Sequence, residues 1–559
     1  MLEVRQSKMI PMLVPTTGWG CWKRLALMLG VVGIVCGSLQ AQFRVKPYLV
    51  CPTSEGVRIT WFTETQREGH LFAKHAKLEK LLRYRSAPFE VKALRYSELE
   101  EKERKAYPDM FENANYKHQV VIRDLLPGAL YAYTVIQGEE RFNGYFRAPP
   151  SRDWAEPIRF MVLADAETDP DGRNEAIPWG DIPEIAYVRA AEGDSRPPGL
   201  AKDQHGRELY VATQQVGLAR NLKVIEERKP DLILMPGDLV QGGGYQRAWD
   251  EYFRHFSGRL SSLLGKVPLL PALGNWENTG ARNGKYAPEA VFAARQKYKA
   301  YFDAPPNNNP DYQDLYYRVD YGPVTILTMD TSNGLPDNTD NDTQKNVSAA
   351  TYPGRDLPDF NEGSDQWLWM MSQLEDASQA GQVIFVQFHH PPFTSGRHGY
   401  RFTSSAPRRD GQSGYPLRKY APHFERYGVT AVFSGHSELF ERSLYNGIHY
   451  YDVGVAGDGL RSPEPSPYAR ENNPYRAWAA HYDEPELWQG GRLIKGGKHY
   501  GHLEVNVTRK AAELFQVELS PVHIFPLMDS ELKVKGWERR VYNDVIVEEV
   551  DVSKRRGKS

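Results

Sequence analysis

The sequence predicts an α/β (α+β) protein in two parts, an all-β sandwich over residues 43–150 and a larger domain over residues 156–520. In the first part, apolar residues alternate with polar ones, which is typical of strands that bury one face. In the second part, near-continuous apolar runs indicate strands that are buried on both faces. Segments with helical periodicity separate these runs, as from Gln214 to Arg228 and after Ser364.

Local motifs mark the boundaries of the two parts. Residues 125–133 place a tyrosine after a Pro-Gly turn. This resembles the tyrosine corner of fibronectin type III sandwiches, in which the hydroxyl bonds back to the chain. Two adjacent prolines interrupt the strand pattern, so residues 148–151 are expected to be a linker. Residues 521–559 are expected to be a C-terminal extension with a basic tail that frays after Asp551.

Residues 1–41 have the features of a secretory signal peptide. Lys23 and Arg24 precede an apolar run from Leu25 to Cys36, and the small residue Ala41 stands at the expected cleavage point. The run is too short to cross a bilayer comfortably. We therefore expect a cleaved signal and no stable membrane span. An uncleaved anchor or a mis-assigned start codon is the alternative.

The composition narrows the class of protein. The formal net charge of −2 argues against a role as a nucleic-acid scaffold. The chain has 3 cysteines. Two of them lie in the predicted signal, so neither a disulfide framework nor a cysteine-based zinc site is expected. An exported protein with so few cysteines fits the bacterial envelope, and we expect it to be periplasmic or secreted.

Five of the apolar runs end in a residue that can bind a metal ion. The runs cover residues 158–164, 232–237, 269–274, 383–388 and 429–435, and they lead into Asp165, Asp238, Asn275, His389 and His436. Each residue alone is a weak signal, because a single histidine is more often satisfied within a core. Ligands bind at the carboxyl ends of strands in open α/β sheets. Five such ends in succession therefore predict one site that is assembled from distant parts of the chain.

The chemistry that fits this set is phosphate-ester hydrolysis at two metal ions. Two cations about 3.5–4 Å apart can hold a hydroxide and clamp a phosphate. Asp238 is the expected bridge between the metals, and Asp165 is a terminal ligand of one of them. The other metal is expected at Asn275, His389 and His436, since hard oxygen ligands and imidazoles suit such ions. Asp238, Asn275 and His389 form the expected catalytic centre.

The ordered motifs resemble those of the calcineurin-like metallophosphoesterase superfamily. They are Asp165, Gly237-Asp238, Gly274-Asn275-Trp276-Glu277, His389 and Gly435-His436-Ser437-Glu438. The N-terminal segment Lys46-Pro47-Tyr48-Leu49 resembles the start of the sandwich in the purple acid phosphatase branch. The resemblance implies a four-layer β-sandwich flanked by helices and preceded by a fibronectin III-like sandwich. It also implies an exported enzyme that hydrolyses phosphate monoesters or diesters with a hydroxide held between two metals.

Departures from the family pattern change the expected metal site. Glu438 replaces the second histidine of the last motif, and Glu167 replaces a histidine that often follows the first aspartate. The implied carboxylate-rich site favours Mn, Mg, Ca or Fe over soft-ligand metals, although Zn stays among the expected divalent or trivalent ions. Glu167 can alternatively hold a neighbouring ligand in place. Gln241 replaces the tyrosine of the coloured enzymes, so we expect a colourless protein unless Tyr245 reaches the metal.

A further departure concerns the contacts to the substrate. The third motif of the family carries a histidine that helps the leaving group depart, and Trp276 stands in its place. An indole has no useful acid–base chemistry, and a general acid is usually worth roughly 10²–10⁴-fold in rate. His390, Arg397 and His398 follow the fourth motif closely and are candidate phosphate contacts. A solvated loop is the alternative for each of them.

Two other functions remain as alternatives. Trp276 suggests a weakened phosphatase-like protein that binds a phosphorylated ligand without efficient turnover. A structural surface protein is the weaker alternative, because it leaves the strand-end residues unexplained. The expected partner is a phosphate-ester substrate, and sandwich domains can also mediate a homodimer. Asp330 is expected to be a structural acid, and the acidic stretch from Asp337 to Asp342 a solvated loop instead of a calcium site.

Overall fold

The computed structural model describes residues 43–555 except for several gaps. The gaps are 172–186, 190–209, 333–356 and 400–412, together with positions 55, 76, 78, 79, 211, 397, 462, 465, 466, 491, 530 and 532. The expected signal segment, the acidic stretch from Asp337 to Asp342 and Arg397 therefore lie outside the described residues.

The secondary structure alternates as expected from residue 158 onward. The N-terminal strands are β1 (Phe43–Thr53), β2 (Gly56–Thr63), β3 (Gly69–His75), β4 (Leu81–Ser86), β5 (Phe89–Glu90), β6 (Tyr116–Arg123), β7 (Leu130–Gln137) and β8 (Glu140–Arg147). The next are β9 (Ile158–Val162), β10 (Tyr187–Arg189), β11 (Leu232–Pro236), β12 (Leu269–Ala272), β13 (Tyr317–Tyr321), β14 (Val324–Thr328), β15 (Val383–Gln387) and β16 (Val429–Ser434). The last are β17 (Phe440–Tyr445), β18 (Ile448–Val453), β19 (Arg476–Ala479), β20 (Glu486–Gln489), β21 (Arg492–Lys495), β22 (Tyr500–Ala511), β23 (Leu514–Met528), β24 (Val534–Val541) and β25 (Ile546–Asp551). The helices are α1 (Glu98–Glu103), α2 (Gln214–Arg228), α3 (Gln246–Phe256), α4 (Pro288–Tyr301), α5 (Asp365–Gln379), α6 (Tyr415–Arg418), α7 (Ala421–Tyr427), α8 (Tyr468–Asn472) and α9 (Ala480–Asp483).

The N-terminal strands form a β-sandwich. Strands β4, β3, β7 and β8 make one sheet, and β1, β2, β6 and β5 make the other. Trp61, Tyr133 and Phe146 belong to the core of this sandwich. The hydroxyl of Tyr131 accepts a hydrogen bond from the backbone N–H of Leu126 at 3.1 Å. The tyrosine expected to bond back to the chain is therefore Tyr131.

Helix α1 is a short helical insertion in the otherwise β-rich region of residues 43–150. It begins after Ser97, whose hydroxyl accepts a bond from the Glu100 N–H while the Glu100 carboxylate bonds back to the Ser97 N–H. This reciprocal pair satisfies two backbone donors that the first turn of a helix leaves free. The charged composition of this stretch is compatible with a capped helix on the surface.

The main sheet joins the sandwich to the larger domain. Its order is β24-β23-β22-β9-β11-β12-β1-β2-β6-β5, and β25 also pairs with β23. Strand β23 crosses the boundary expected at residues 520 and 521, so the last strands belong to this sheet. Beyond them, Val552 is buried and the Arg555 guanidinium donates to the Gln382 carbonyl at 2.8 Å. The fraying expected after Asp551 is therefore wrong for residues 552–555.

Two sheets face each other in the larger domain, and helices cover them. The second sheet has the order β13-β14-β15-β16-β18-β17-β19. The Phe160 ring of the main sheet lies 5.1 Å from the Phe385 ring of the second sheet. Ile384, which precedes Phe385 in β15, belongs instead to the core that contains Trp367 of α5. Both faces of β15 are therefore buried, which explains why its sequence is continuously apolar.

The two helices expected from the sequence are present. Helix α2 has the expected bounds, and Ser364 caps α5 by accepting a bond from the Trp367 N–H. The buried face of α5 carries Met370 and Leu374, whereas the apolar side chain of Leu368 is 60% exposed. Within the described part of the chain, no helix combines the length and apolar character needed to cross a lipid bilayer.

Candidate metal centre

Five strand ends bring the candidate residues together. Strands β9, β11 and β12 are parallel neighbours in the main sheet and lead into Asp165, Asp238 and Asn275. Strands β15 and β16 are parallel neighbours in the second sheet and lead into His389 and His436. All five side chains are buried. The carboxyl ends of both sheets therefore contribute to one cluster.

The turns after these strands have strained backbones. Asp165, Asp238 and His436 have φ angles of 54°, 50° and 75°, in the left-handed region that few residues other than glycine adopt. Such strain persists at functional sites where the surroundings enforce it. A Cβ atom at Gly274 would lie 2.1 Å from the Asp238 Oδ1, and one at Gly435 would lie 2.2 Å from the Asp165 Oδ2. The two carboxylates therefore require glycine at these positions.

Acceptor atoms converge on one ring nitrogen of His389. Its Nδ1 lies 3.0 Å from the Pro236 carbonyl oxygen, so in the neutral ring Nδ1 carries the proton and Nε2 presents a lone pair. Nε2 lies 3.0 Å from both the Asn275 Oδ1 and the Asp238 Oδ2. The Asn275 Oδ1 also lies 2.8 Å from the His436 Nδ1. Lone pairs that face one another at this distance repel, and a cation between them removes the repulsion.

Asp165 and Asp238 add negative charge to this group. The ligand atoms of Asp165, Asp238 and His389 lie within 4.8 Å of one another. The Asp165 carboxylate accepts bonds from the His436 N–H at 3.0 and 3.1 Å. Burial raises the pKa of the Asp165 carboxyl well above its usual range, and the nearby Asp238 charge raises this pKa too. A bound cation would keep both carboxylates ionised.

Glu277 is a buried acid to which sequence reasoning assigned no role. Its carboxylate accepts bonds from the N–H groups of Asp238, Leu239 and Gly274 at 3.1, 2.9 and 2.7 Å. It thereby holds the turn of Asp238 against the turn of Asn275. Burial, with the Asp238 charge, raises the pKa of Glu277 to about 7. An acid within a tight Gly-Asn turn was the local signal for this positioning role.

A second carboxylate group lies beside the first one. Atoms of Glu167, Glu438 and Asp458 lie within 4.8 Å of one another. Glu167 and Glu438 were expected near a metal, but Asp458 was missed, because it lies in a glycine-rich loop and not directly after a strand. The N–H groups of Gly457 and Asp458 donate to the Asp165 carbonyl at 2.9 and 3.2 Å. These bonds fix the loop to the end of β9.

The candidate substrate contacts divide into two kinds. Trp276 is half-buried on a 3₁₀ turn, and its backbone N–H donates to the Asp238 Oδ1 at 2.9 Å. His390 and His398 are buried, so the solvated loop that was the alternative for them is wrong. Their ring centres lie 4.4 and 4.0 Å from the ring centre of His436. Arg397 lies outside the described residues.

The family comparison agrees with this geometry. Residues 205–437 match the model of the calcineurin-like phosphoesterases. This segment of the chain is therefore similar to a calcineurin-like phosphoesterase domain. The fold of the purple acid phosphatase from yellow lupin seeds superimposes with a TM-score of 0.54 at 13% identity, over 88% of this chain and 73% of the lupin chain. This match confirms the fold that the sequence predicts for the larger domain, and the region before it is β-rich.

Two curated relatives are similar to this chain in sequence. An uncharacterised protein of Mycobacterium tuberculosis is 24% identical over 328 residues, which are 55% of this chain and 54% of the relative. Purple acid phosphatase 21 of Arabidopsis thaliana is 22% identical over 362 residues, which are 63% of this chain and 61% of the relative. The chain thus spans little more than half the length of these curated relatives.

The Tyr245 hydroxyl, the alternative phenolate ligand, bonds to Asp171 and not to a candidate metal ligand. The hydroxyl donates to the Asp171 Oδ1 at 3.0 Å, and neither residue belongs to the two carboxylate groups around the strand ends. Gln241 stands at the position of the phenolate ligand in the coloured enzymes. We therefore still predict that the protein has no charge-transfer colour. An absorption spectrum of the iron-loaded protein tests this prediction.

Asp330 forms a buried ion pair. Its Oδ2 lies 2.8 and 2.7 Å from two guanidinium nitrogens of Arg295, and both side chains are almost fully buried. The Ser332 hydroxyl donates to its other oxygen at 2.8 Å. This environment agrees with the structural role expected for Asp330.

The substitution Asp330→Asn is expected to lower the free energy of unfolding by about 3–5 kcal/mol, because it leaves a buried guanidinium without its counter-charge. Urea unfolding followed by fluorescence measures this loss. Asp320→Asn is the matched control, because Asp320 pairs with Arg318 and both side chains reach solvent. The Arg318 side chain is 18% exposed and that of Asp320 is 43% exposed. The control is expected to change stability by less than about 1 kcal/mol. Equal losses in both variants would contradict the structural role of Asp330.

Proposed function

We propose that this protein is a metal-dependent phosphoesterase that hydrolyses phosphate monoesters or diesters at a site for two metal ions. The observation that carries the proposal is the cluster of acceptor atoms at His389. Its Nε2 faces oxygens of Asp238 and Asn275 at 3.0 Å with no donor hydrogen between them in the neutral ring. Such a group is a preformed cation site.

The donor set fits hard and borderline cations. Asp238, Asn275, His389 and His436 offer carboxylate, amide and imidazole atoms, which suit Mn, Fe and Zn. The carboxylates around Asp165 suit Mn, Mg or Ca. When bound, two such ions supply Lewis acidity that activates water and neutralises phosphate charge.

The protein residues orient and desolvate the reacting groups. The Pro236 carbonyl fixes the tautomer of His389, and Glu277 fixes the backbone that carries Asp238. His390 and His398 lie against His436 and are proposed to contact the non-bridging phosphate oxygens. Since Trp276 offers no acid, departure of the leaving group is unassisted, and aryl esters are expected to react faster than alkyl esters.

A second candidate function is supported by Trp276 alone. A half-buried indole beside the Asp238 turn can stack on a ring of a phosphorylated ligand. The protein would then bind such a ligand without efficient turnover. Tight binding of an aryl phosphate together with an absence of hydrolysis would favour this candidate over the first one.

We also propose that the protein acts outside the cytoplasm, in the periplasm or in the medium. The support is the signal-like pattern of residues 1–41. Fractionation of cells that express the full chain, with N-terminal sequencing of the exported form, measures both the location and the cleavage point. Retention of the intact chain in the cytoplasm would contradict this proposal.

The test of the activity is reconstitution with defined metals. The protein is stripped with a chelator and reloaded in turn with Mn, Fe, Zn, Mg and Ca, and hydrolysis of an aryl phosphate monoester and the matching diester is recorded. We expect turnover that depends on the added metal, and the faster substrate assigns the ester class. Folded protein that binds metal but hydrolyses neither ester would contradict the enzymatic proposal.

A further inference from the structure

The second carboxylate group, near Asp165 and Asp238, contains one acid more than the ligands expected from the sequence. Glu167, Glu438 and Asp458 offer oxygens within 4.8 Å of one another. Glu167 and Asp458 are nearly fully buried at 3% and 6% exposure. Three carboxylates this close repel strongly unless cations neutralise them.

Glu167 supplies an independent sign of a cation site. Its Oε2 is buried and has no hydrogen-bond partner among the described residues. A buried carboxylate oxygen without a donor costs more than a neutral polar group in the same position. Because this oxygen lies in the same group as Glu438 and Asp458, the geometry directs it at a site for a positive ion.

The loop that carries Asp458 is held tightly against the end of β9. The N–H groups of Gly457 and Asp458 both donate to the Asp165 carbonyl. A Cβ atom at Gly457 would lie 2.6 Å from the Ala166 carbonyl oxygen, so only glycine permits this approach. The backbone therefore sets Asp458 next to Glu167, independently of any side-chain bond within the group.

Arg461 is a partly exposed counter-ion for two of these acids. Its guanidinium contacts the Asp458 Oδ2 at 2.6 Å and also contacts Glu438. The Arg461 side chain is 49% exposed, so it can leave towards solvent at a small cost. One guanidinium cannot balance three carboxylates, and the Glu167 oxygen is left without a partner.

We propose that Asp458, together with Glu167 and Glu438, is a ligand of the metal ion that is expected at Asp165. Arg461 is the counter-ion that this metal displaces. The proposal rests on the two-metal site of the proposed function. All-carboxylate coordination selects a hard cation such as Mn²⁺, Mg²⁺ or Ca²⁺ over soft-ligand metals.

The experiment measures Mn²⁺ binding to the metal-stripped protein by titration calorimetry, with bound metal counted by mass spectrometry. Wild type is expected to bind two ions. Asp458→Asn is expected to keep one ion and to bind the other about 10-fold or more weakly. Arg461→Gln removes the competitor and is expected to bind both ions at least as tightly as wild type. Asp544→Asn is the matched control, since Asp544 also pairs with an arginine, Arg442, at 2.7 Å, and it should match wild type.

Each outcome separates this inference from the proposed function. Two ions bound to Asp458→Asn with wild-type affinity would overturn the role of Asp458. Weaker Mn²⁺ binding by Arg461→Gln would overturn the role of Arg461. If Asp458→Asn does not fold, the Arg461→Gln variant still tests the proposal. A wild type that binds two ions but hydrolyses no ester would contradict only the enzymatic proposal. A wild type that binds no ion would contradict both.

Discussion

Asp238→Ala is expected to abolish hydrolysis, with a loss in kcat/KM of at least about 10³-fold. Asp238 Oδ2 lies 3.0 Å from the His389 Nε2, and its Oδ1 accepts the Trp276 N–H. It is the carboxylate that we propose the two metal ions share. Initial rates for an aryl phosphate ester, measured at saturating metal, quantify the loss.

A stability measurement distinguishes this loss from unfolding. The Asp238 charge contributes to the raised pKa of Asp165, so removing it relieves repulsion in the metal-free protein. Metal-free Asp238→Ala is therefore expected to have a Tm equal to or above that of metal-free wild type, whereas metal should no longer raise its Tm as much. Asp238→Asn, which keeps the side-chain size, should lose activity to the same extent. Full activity in either variant would contradict the assignment.

Trp276→His is expected to raise kcat for an alkyl phosphate ester by roughly 10²-fold, the lower end of the usual worth of a general acid. The backbone N–H of Trp276 bonds to Asp238, so a side chain at this position begins beside the expected reaction centre. An imidazole can donate a proton to the departing oxygen, and an indole cannot. The gain is expected only where the leaving group needs that proton.

The comparison of two leaving groups makes this prediction specific. An aryl oxide leaves without a proton, so Trp276→His should change the rate for the aryl ester far less than the rate for the alkyl ester. Trp276→Phe is the control, because it removes the indole without adding an acid, and it should raise neither rate. If the histidine variant raises both rates equally, or neither of them, the missing acid is not what limits this protein.

Much of the fold could be predicted from strands that are buried on both faces. The strands that lead into Asp165, Asp238 and His389 were predictable, because a strand between a facing sheet and a helix layer must be apolar along its whole length. The docking of residues 552–555 through the buried Val552 and the Arg555 hydrogen bond was not predictable, since their basic composition is also that of a frayed tail. The exposed Leu368 on α5 shows the same limit, because its neighbours and not its own hydrophobicity decide which face is buried.

The candidate centre was predictable only where a residue directly follows a strand. Asn275 and His436 obey that rule, so their convergence could be expected from strand order. Asp458 lies five residues after β18, which ends at Val453, and only the tertiary bonds of its loop bring it beside Glu167. Glu277 was visible in the motif, but its role depends on backbone groups from two separate turns.

The most direct test of the central claim is anomalous diffraction at the manganese edge from crystals soaked in Mn²⁺. We expect two peaks about 3.5–4 Å apart. One should lie among Asn275, His389 and His436, the other should lie among Glu167, Glu438 and Asp458, and Asp238 should lie between them. A fully soaked crystal with no peak at these strand ends, or with peaks only elsewhere, would contradict the claim that they assemble a two-metal centre.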